Sequence, residues 1–454
     1  MGSEQLYREA LEWIHGLGRF GTRPGLERIT ELMRLLGNPH HEVRFVHVGG
    51  TNGKGSTAAM IASILRSAGY KIGLYTSPYL LSFTNRMAVN GSDIESHELV
   101  DLVGRIRPLV DKISSDQKLG PLTEFEVVTA IALTYFAHRK VDLVILEVGL
   151  GGRLDATNIV NPLLSIITNV SLEHTDVLGN TVEAIAAEKA GIIKKGRPLL
   201  TAAEDRRVLS VLEERCRRLK APLYRVYPTG GEKVELPPEK PAATLQKITT
   251  EGQYFKYRGF SVLLENVFLS LRGLYQVTNA ATALAAVELL GDQGFRVQEA
   301  QLRSGLAETS WPGRLEVFGE KPQLIMDGAH NPAAIEKLAA AMPRYFIYNR
   351  LILVIGMLAD KDTEAMLKHI LPLADSIIFT RPVLPRAADP AEIAAFAVSH
   401  FKLRCDYRVI HDHCEALEAA LKLAGPDDAI LVTGSLYTVS DIRACWQKRV
   451  LRAI

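Results

Sequence analysis

A glycine-rich segment of the sequence combines a lysine with two hydroxyl side chains. This segment, HVGGTNGKGST at residues 47–57, lies between a β-branched run at 43–48 and a stretch of helical spacing at 56–67. In a P-loop, backbone N–H groups and the start of a helix surround phosphate, a lysine adds positive charge, and a hydroxyl reaches Mg²⁺. The strict spacing would need glycine at Val48, so the sequence predicts a shortened P-loop. Its nucleotide-binding residues are Gly50, Thr51, Asn52, Gly53, Lys54, Gly55, Ser56 and Thr57.

Two further side chains of chemical interest follow predicted buried strands. Glu147 lies near the end of the run DLVILEV at 142–148, and His174 follows the run LLSIITNV at 163–170. Ligands of open α/β sheets bind at the carboxyl ends of parallel strands, where a carboxylate beside a P-loop suits Mg²⁺. We therefore predict that Glu147 is a metal ligand. The alternatives are an ion pair between Glu147 and Arg153 and a structural role for His174, because histidine serves both purposes.

The second half of the chain contributes an arginine, an aspartate and a second histidine. Arg314 lies in the segment SWPGRL, which interrupts the periodicity and indicates a linker. A guanidinium suits contact with phosphate, and the alternative is a solvated linker arginine. Asp327 and His330 lie within one turn in the segment DGAHNP, directly after a predicted strand. A histidine at this place could relay a proton, and the alternative is a helix start at Asn331.

The cysteines give no sign of a disulfide framework. They are Cys216, Cys405, Cys414 and Cys445, and no two of them form a C-x-x-C pair. We therefore expect a reducing compartment. Cys405, His411, His413 and Cys414 are metal-ligand residue types, but their spacing matches no zinc pattern. We interpret this segment as a surface strand with His411 and His413 on one face.

Alternating strand and helix patterns position these residues. Helices are predicted at 97–113, 124–139 and 277–290, and another begins at Asn180 with Glu183 as its capping-box partner. Continuous apolar strands between such helices indicate a parallel sheet covered on both faces. From about residue 222 to 273 short runs alternate with turn residues, and this pattern predicts added antiparallel strands.

The fold class is therefore α/β, with two domains. Residues 1–309 are predicted to form a P-loop-type domain with a mostly parallel sheet and the added antiparallel strands. Alternation of strands and helices restarts after the linker, so residues 310–454 are predicted to form a smaller, Rossmann-like α/β domain.

Composition excludes several classes of protein. The 454 residues are 47% hydrophobic and 23% charged, with a formal net charge of +2. These values exclude a disordered chain and argue against a large nucleic-acid or membrane-surface footprint. The start of the chain has no apolar signal core, and the longest apolar runs are far shorter than the roughly 20 residues of a membrane span. We expect a cytoplasmic protein with no nucleic-acid or membrane partner.

Several segments together resemble one known family. They are GTNGKGS at Gly50, TSPYLLSFTNR at Thr76, EVGLGGRLDATN at Glu147, DGAHNP at Asp327 and TGSLY near Ser435. From about residue 13 to 443 the chain resembles the folylpolyglutamate synthase/dihydrofolate synthase family of the Mur ligase superfamily. The resemblance implies an ATP-dependent amide ligase with an ATP-binding central domain and a C-terminal glutamate-ligase domain. The implied reaction adds L-glutamate to folate through an acyl phosphate, with dihydropteroate as a second candidate acceptor.

The resemblance also implies roles for individual residues. Those with an implied catalytic role are Lys54, His174, Lys189, Arg314, Asp327 and His330. Ser77, Glu147 and His174 match the family's metal site, and Lys189 matches a lysine that is carbamylated. Asn279, Arg314 and Asp327 match nucleotide contacts. Phe125, Ser435 and Tyr437 are the implied substrate-binding residues, with the folate near Phe125 and the loop at 76–87.

The chain departs from the family pattern at two positions. Tyr275 stands where the family usually has histidine, and Glu173 stands where it mostly has aspartate. The implied cofactors are ATP and Mg²⁺, with K⁺ as a possible addition, and the expected state is a monomer. Two alternatives stay open. A Mur peptidoglycan ligase would need an N-terminal domain for which the 48 residues before Gly49 are too few. A nucleotide switch would leave the C-terminal motifs unexplained.

Overall fold

The computed structural model describes residues 2–21, 23–227, 241–403 and 405–453. Contacts divide the chain into two compact units. Unit 1 comprises residues 1–246, 254–270 and 276–309, and unit 2 comprises residues 247–253, 271–275 and 310–454. Among the described residues, no helix is both long and apolar enough to cross a membrane. The predicted roles of residues 1–309 and 310–454 stay predictions.

An eight-stranded sheet forms the centre of unit 1. Its strands are β1 (Phe45–Gly49), β2 (Ile72–Tyr75), β3 (Met87–Val89), β4 (Ser92–Asp93), β5 (Leu143–Glu147), β6 (Leu164–Ile167), β7 (Leu199–Thr201) and β8 (Leu223–Arg225). The order is β4-β3-β2-β5-β1-β6-β7-β8. The pairs β2–β3 and β3–β4 are antiparallel, and the other pairs are parallel. Every residue of β1, β5 and β6 is buried, which confirms the predicted parallel sheet covered on both faces.

Helices cover this sheet. They are α1 (Ser3–Gly16), α2 (Glu27–Leu35), α3 (Lys54–Ser67), α4 (Ser96–Ser114), α5 (Glu124–His138), α6 (Thr175–Leu178), α7 (Val182–Lys189), α8 (Arg206–Leu219), α9 (Leu274–Gly291) and α10 (Glu299–Ala307). The apolar face of α5 belongs to a core cluster shared with α1, α2 and α4. Thr123 begins α5 with a capping box to Glu126, which explains why this helix starts where its sequence predicts.

The helix predicted to begin at Asn180 begins two residues later. Thr181 is extended, with φ −130° and ψ 152°, and its hydroxyl accepts a 3.1 Å hydrogen bond from Ala184 N–H. This is the geometry of an N-cap, so the first helical residue of α7 is Val182. The prediction was wrong because asparagine and threonine are both good caps, and the sequence alone did not decide between them.

Three strands form a separate small sheet in the order β11-β10-β9. They are β9 (Ala242–Ile248), β10 (Gln253–Arg258) and β11 (Leu263–Leu269). The turn between β9 and β10 is closed by a hydrogen bond from Thr249 N–H to Gly252 C=O, and connections this short join antiparallel neighbours. The prediction for 222–273 therefore holds for these strands. It was wrong for β8, which pairs parallel with β7, and residues 228–240 lie outside the described residues.

A six-stranded sheet forms the centre of unit 2. Its strands are β12 (Glu316–Phe318), β13 (Gln323–Met326), β14 (Leu351–Ile355), β15 (Ser376–Phe379), β16 (Asp406–Val409) and β17 (Ala429–Thr433). The order is β12-β13-β17-β14-β15-β16, and every pair except β12–β13 is parallel. The helices are α11 (Pro332–Tyr345), α12 (Thr363–Ile370), α13 (Pro390–Phe401), α14 (His413–Leu423) and α15 (Leu436–Ala453). This architecture agrees with the predicted Rossmann-like fold.

Two expectations about the cysteine and histidine segment need correction. The predicted surface strand ends at Val409, and Asp412 caps α14 by accepting a 2.8 Å hydrogen bond from Glu415 N–H. His413 therefore lies on a helix and does not share a strand face with His411. Cys414 and Cys445 form a disulfide with a Cα–Cα distance of 5.6 Å, although they are 31 residues apart. Their spacing does not predict this pairing, because packing of α14 against α15 brings them together.

A buried ion pair joins α2 to α5 and leads to a testable prediction. Arg28 Nε lies 3.0 Å from Glu126 Oε1, and the two side chains are only 11% and 5% exposed. Replacing Glu126 with glutamine would leave the Arg28 charge buried without its partner, so we expect a loss of about 3 kcal/mol in the free energy of unfolding, measured by urea denaturation.

The matched control is Glu31→Gln. Glu31 pairs with Arg34 at 2.7 Å on the surface, where solvent screens the charges, so we expect almost no change. Equal effects of Glu126→Gln and Glu31→Gln would contradict the importance of the buried pair.

Candidate active site

The turn between β1 and α3 has the backbone of an anion-binding loop. Gly50 and Gly53 have φ angles of 134° and 85°, which side-chain-bearing residues rarely adopt. A Cβ atom at Gly50 would lie 2.0 Å from Thr168 Oγ1, and one at Gly53 would lie 2.5 Å from Asn279 Oδ1. Both positions therefore need glycine for conformation and for space. Helix α3 begins at Lys54, as a P-loop helix should.

The segment after β6 holds this turn in place. Thr51 N–H donates to Asn169 C=O at 2.8 Å, and Asn52 N–H donates to Asn169 Oδ1 at 3.0 Å. Thr168 Oγ1 and Asn169 Nδ2 both donate to Asn52 C=O, at 2.7 and 2.8 Å. Thr168 and Asn169 are functional residues that the sequence analysis missed. Their signal was two polar residues within a run otherwise typical of a buried strand.

The side chains of the turn and of α3 have well-defined partners. Lys54 Nζ donates to Thr51 C=O at 3.0 Å, within the turn itself. Gln276 Nε2 donates to Ser56 Oγ at 3.2 Å, and Asn279 Nδ2 donates to Gln276 Oε1 at 2.9 Å. Asn279 thus lies beside the turn, where the resemblance predicted a nucleotide contact. The sequence analysis missed Gln276, because this residue acts by positioning Ser56 and Asn279 through hydrogen bonds.

Thr57 provides a buried hydroxyl in the first turn of α3. Its residue is fully buried, and Oγ1 has no hydrogen-bond partner within the described part of the chain. A buried hydroxyl usually has a partner, so such an atom near a phosphate-binding turn is available for a ligand. This observation agrees with the predicted place of Thr57 in the nucleotide site.

Two of the three predicted metal ligands lie next to each other. Glu147 ends β5, its residue is 5% exposed, and its Oε2 accepts a 3.3 Å hydrogen bond from Ser77 N–H. The alternative pairing of Glu147 with Arg153 is wrong, since Arg153 binds Glu188 at 2.9 Å. His174 has a left-handed backbone with φ 51° at the start of α6, and its Nε2 lies 3.9 Å from Glu173 Oε1. Metal binding by His174 stays a prediction.

Lys189 is buried, and its position differs from that of an ordinary helix-end lysine. Its residue is 4% exposed, and Nζ donates to Gly50 C=O at 2.9 Å. Burial lowers the pKa of Lys189 to about 7, and the nearby charge of Lys54 acts in the same direction. Glu173 opposes this shift. A lysine with this pKa has a substantial neutral fraction at pH 7 and can act as a nucleophile, and it lies directly against the predicted phosphate-binding turn.

Aromatic side chains and an arginine lie together in the segment after β2. The Arg86 guanidinium carbon lies 5.3 Å from the centre of the Tyr79 ring and 5.4 Å from that of Phe83. The Arg86 side chain is 12% exposed, and its Nε and one terminal nitrogen have no partner in the described ranges. NH2 lies 4.0 Å from a Glu124 carboxylate oxygen. The sequence signal that was missed is Arg86 as the one charged residue of the segment at 76–87.

Phe125 lies at the start of α5, as the sequence predicts. A Cβ atom at Gly149 would lie 2.4 Å from the end of the Phe125 ring, so the glycine after β5 makes room for this aromatic side chain. The ring centres of Phe125 and Tyr75 are 6.4 Å apart. Phe125 therefore belongs to the carboxyl edge of the unit 1 sheet, where open α/β sheets bind ligands.

In unit 2, Asp327 organises the segment that carries Arg314. Asp327 directly follows β13, and its two carboxylate oxygens accept hydrogen bonds of 2.9 Å from Leu315 N–H and Ala329 N–H. Leu315 has a φ of 45°, a strained conformation for leucine that these contacts maintain. Burial raises the pKa of Asp327, and the Arg314 guanidinium opposes that shift. Arg314 itself donates to Gly313 C=O at 3.1 Å.

His330 and Asn331 show that both interpretations of DGAHNP describe the same turn. Asn331 Oδ1 accepts a 2.9 Å hydrogen bond from Ala334 N–H and caps α11, so the helix start is real. His330 Nδ1 lies 2.8 Å from Gly328 C=O. Because a carbonyl only accepts, Nδ1 carries the proton in this arrangement, and a neutral His330 would have its basic nitrogen at Nε2.

Tyr275 contributes to the surroundings of Asp327. Burial raises the pKa of Tyr275 well above 10, and the Asp327 charge adds to this effect, so the phenol stays neutral. A neutral phenol can donate a hydrogen bond to a carboxylate, which a histidine at this position could also do. The departure from the family pattern therefore keeps a donor beside Asp327.

Ser435 and Tyr437 lie at the start of α15. Ser435 Oγ accepts a 3.1 Å hydrogen bond from Tyr437 N–H, and Ser435 is buried. Arg386 donates to the Tyr437 hydroxyl at 3.4 Å, and its guanidinium carbon lies 5.6 Å from the centre of the ring. Arg386 was missed because it lies in a loop whose sequence has no recognisable pattern. A helix start, a tyrosine and an arginine together suit an anionic ligand.

The chain matches two domains of one protein family. The Mur ligase middle domain matches residues 48–287, and the Mur ligase glutamate ligase domain matches residues 313–436. The dihydrofolate synthase/folylpolyglutamate synthase of Bacillus subtilis is 39% identical over 445 residues, covering 96% of this chain and 98% of that protein.

Solved structures give the same result. The folylpolyglutamate synthase of Mycobacterium tuberculosis complexed with ADP has a TM-score of 0.87 and 30% identity, covering 96% of this chain and 98% of that one. The Escherichia coli FolC protein in complex with DHPP and ADP has a TM-score of 0.83 and 31% identity, with coverages of 97% and 98%.

The glycine at position 53 provides a test of the phosphate-binding turn. We expect Gly53→Ala to weaken MgATP binding roughly tenfold or more, measured by isothermal titration calorimetry, because the new methyl group collides with Asn279 and must displace it. The strain of a positive φ, about 1–2 kcal/mol, adds to the effect.

Gly69→Ala is the matched control. Gly69 has a similar φ of 88°, but a Cβ atom there meets no atom within 4 Å. This variant therefore carries the same backbone strain without the collision, and its affinity for MgATP should equal that of the unchanged protein. If both variants bound MgATP equally well, Asn279 would not be a part of the nucleotide site.

Proposed function

The chain belongs to the dihydrofolate synthase/folylpolyglutamate synthase family of Mur ligases, and we propose how its residues carry out the family's reaction. It is an ATP-dependent amide ligase that adds glutamate to folate. The observation that supports our assignment of the ATP site is the turn at Gly50–Gly53, whose conformation suits phosphate and which is held by Thr168 and Asn169.

We propose that the reaction passes through an acyl phosphate. The folate carboxylate attacks the γ-phosphorus of ATP, the bond to the β,γ-bridging oxygen breaks, and ADP leaves. The glutamate nitrogen then attacks the acyl carbon, loses a proton, and expels inorganic phosphate. Lys54 and the N–H groups at the start of α3 would stabilise the charge on the transferred phosphoryl group. One oxygen of the carboxylate would thus leave as part of phosphate, which is a far better leaving group than an oxide ion.

The donor groups near the turn fit Mg²⁺. This cation prefers hard oxygen ligands, and the buried Glu147 carboxylate and the Thr57 hydroxyl are of this kind. Ser77 and His174 complete the set that the resemblance implies. When bound, Mg²⁺ would neutralise charge on the phosphates. K⁺ as a further cofactor rests on the resemblance alone.

For the residues of unit 2 the proposal rests on the resemblance and on their local geometry. Arg314 would contact the ATP phosphates, and Asp327 fixes the backbone on both sides of it through Leu315 and Ala329. His330, with its proton on Nδ1, would accept the proton of the glutamate amine at Nε2. Ser435 and Tyr437 would bind the incoming glutamate, helped by Arg386.

The folate would lie against Phe125 and the loop at 76–87. Aromatic side chains offer a surface for a flat ring, and Arg86 has two buried donor atoms without partners inside the described ranges. A group that accepts hydrogen bonds would satisfy both atoms. The family's two names also lead us to propose that dihydropteroate is a second acceptor, which would make the enzyme bifunctional.

Phosphate release tests the ligase activity and the choice of acceptor substrate. MgATP and L-glutamate are supplied with dihydropteroate, with tetrahydrofolate, or with a UDP-muramoyl acceptor, and phosphate is measured. We expect release with both pterins and none with the UDP-muramoyl acceptor. Release with tetrahydrofolate alone would contradict the proposed dihydropteroate activity and support the assignment as a folate ligase. Release with neither pterin would overturn the function.

Lys189 is a good candidate for carbamylation on physical grounds. Only a neutral amine attacks CO₂, and burial has lowered the pKa of this lysine to about 7. The new carbon–nitrogen bond gives a carbamate and releases one proton, and the nitrogen keeps one N–H that can still donate to Gly50 C=O. The anion would face Lys54, so the repulsion between two cations becomes an attraction.

The carbamate should follow pH and CO₂. Because the lowered pKa makes the amine neutral above about pH 7, occupancy at fixed dissolved CO₂ should rise between pH 6 and 8. We expect ¹³CO₂ to give a carbamate signal in the ¹³C NMR spectrum, and removal of CO₂ to lower ligase activity reversibly.

Lys189→Gln should abolish this signal, whereas Lys195→Gln, at an exposed lysine on the same segment of the chain, should keep it. A signal that survives Lys189→Gln would assign the carbamate to another residue, and full activity without CO₂ would make it unnecessary.

A further inference from the structure

A cysteine pair in unit 2 lies outside every residue that the ligase reaction uses. Cys414 is in the first turn of α14, Cys445 is in the second half of α15, and a disulfide joins them. One turn further along both helices, Arg449 forms a two-oxygen ion pair with Glu418. Both contacts advance by four residues along each helix, from Cys414 to Glu418 and from Cys445 to Arg449. Helices α14 and α15 therefore run in the same direction, with the two cysteines facing each other.

A histidine completes a group of three possible metal ligands. His413 precedes Cys414, and one ring nitrogen of His413 and the sulfur atoms of Cys414 and Cys445 all lie within 4.8 Å of one another. His413 and Cys414 are half-buried. In the sequence, His413 lies in the pattern C-x₅-H-x-H-C with Cys405 and His411, and this spacing predicted no zinc site. Neither belongs to the group that the structure brings together.

The donor set identifies the class of metal. Two thiolates and an imidazole are soft to intermediate ligands, which select Zn²⁺ over the hard cations Mg²⁺ and Ca²⁺. The ligase reaction needs Mg²⁺, so the two sites would take different ions. Zn²⁺ has four ligands in most protein sites, and three protein ligands with water in the fourth position are common.

We propose that the reduced form of the chain binds one Zn²⁺ ion through His413, Cys414 and Cys445. Two thiol groups lose their protons on binding, the imidazole binds in its neutral form, and no electrons are transferred. The disulfide is the alternative state of the same two sulfur atoms, reached when a small-molecule disulfide oxidises the thiols by exchange and is itself reduced to two thiols. Because the disulfide has no thiolate, metal and disulfide exclude each other.

The surroundings of the sulfur atoms support thiolate formation at Cys414. This residue is the second of the eleven residues of α14, where the partial positive charge of the helix start stabilises a thiolate. The nearby acidic residues Asp412 and Glu415 oppose this effect. A bound Zn²⁺ would outweigh the acidic neighbours, since a metal deprotonates its thiol ligands outright.

The site would fasten α15 to α14 without a covalent bond. Helix α15 begins directly after Ser435 and carries Tyr437, and Thr438 Oγ1 donates to Gly356 C=O at 2.9 Å near the same end. Cys445 lies two turns further along this helix. The inference does not rest on the proposed function, because it concerns ligands that the reaction does not use.

The experiment compares reduced and oxidised protein. Full-length protein is treated with a phosphine reductant or with oxidised glutathione, incubated with Zn²⁺, passed through gel filtration, and analysed for metal. We expect one equivalent of Zn²⁺ in the reduced protein and none in the oxidised protein. Co²⁺ in place of Zn²⁺ should give thiolate-to-metal charge-transfer absorption, and Zn²⁺ should raise the thermal unfolding temperature of the reduced protein only.

Three variants locate the site. Cys445→Ser should lose the metal and the charge-transfer band, and His413→Gln should weaken binding roughly tenfold or more while it keeps the band. Cys405→Ser is the matched control, since Cys405 is a free cysteine of the same unit, and it should bind like the unchanged protein. Equal metal content in reduced and oxidised protein, or full binding by Cys445→Ser, would overturn the proposal. The comparison of the two redox states decides the question even if a variant fails to fold.

Discussion

The parallel pairing of β1 with β6 is the constraint on which the proposed nucleotide site depends. The ladder aligns Gly49 with Ile167, so the residues that follow both strands leave the sheet side by side. Thr168 and Asn169 can then reach the backbone of Thr51 and Asn52 and form hydrogen bonds with it. The phosphate-binding conformation is therefore maintained by a neighbouring strand and not by the glycines alone. The glycines allow the positive φ angles of the turn, and the hydrogen bonds from Thr168 and Asn169 stabilise this one conformation.

In unit 2, a single carboxylate holds the backbone of two candidate site segments in place. Asp327 follows β13 and holds the N–H groups of Leu315 and Ala329, so one buried side chain connects the segment carrying Arg314 to the turn carrying His330. The arrangement has a cost, since burial raises the pKa of Asp327 and therefore disfavours the charged form that accepts these bonds. The Arg314 guanidinium offsets part of this cost. Ordinary core packing would not require such a group, which indicates that the arrangement serves chemistry.

The sequence could predict what local pattern determines. Strands such as Leu143–Glu147 are continuous apolar runs between helices, and the glycines of the P-loop follow one of them, so the α/β class and the turn were both accessible. The parallel pairing of β8 and the roles of Thr168 and Gln276 were not accessible. Each depends on which residues the fold brings together from distant parts of the chain, and spacing along the sequence contains no such information. The Cys414–Cys445 pair is the clearest example.

The surroundings of Lys189 support the carbamylation that the family resemblance implies. The sequence alone gives a lysine in the last turn of a helix, where the helix dipole would favour its charge. The fold instead buries Nζ against Gly50 C=O and near a second cation, which lowers the pKa to about 7. That environment disfavours an ammonium ion and favours a neutral amine or an anionic derivative. Unmodified Lys189 therefore destabilises the folded protein at pH values below the usual pKa of lysine. In that range the unfolded chain can bind the proton that burial disfavours in the folded state. The physical cost of burial is thus an argument for modification that the family resemblance alone could not supply.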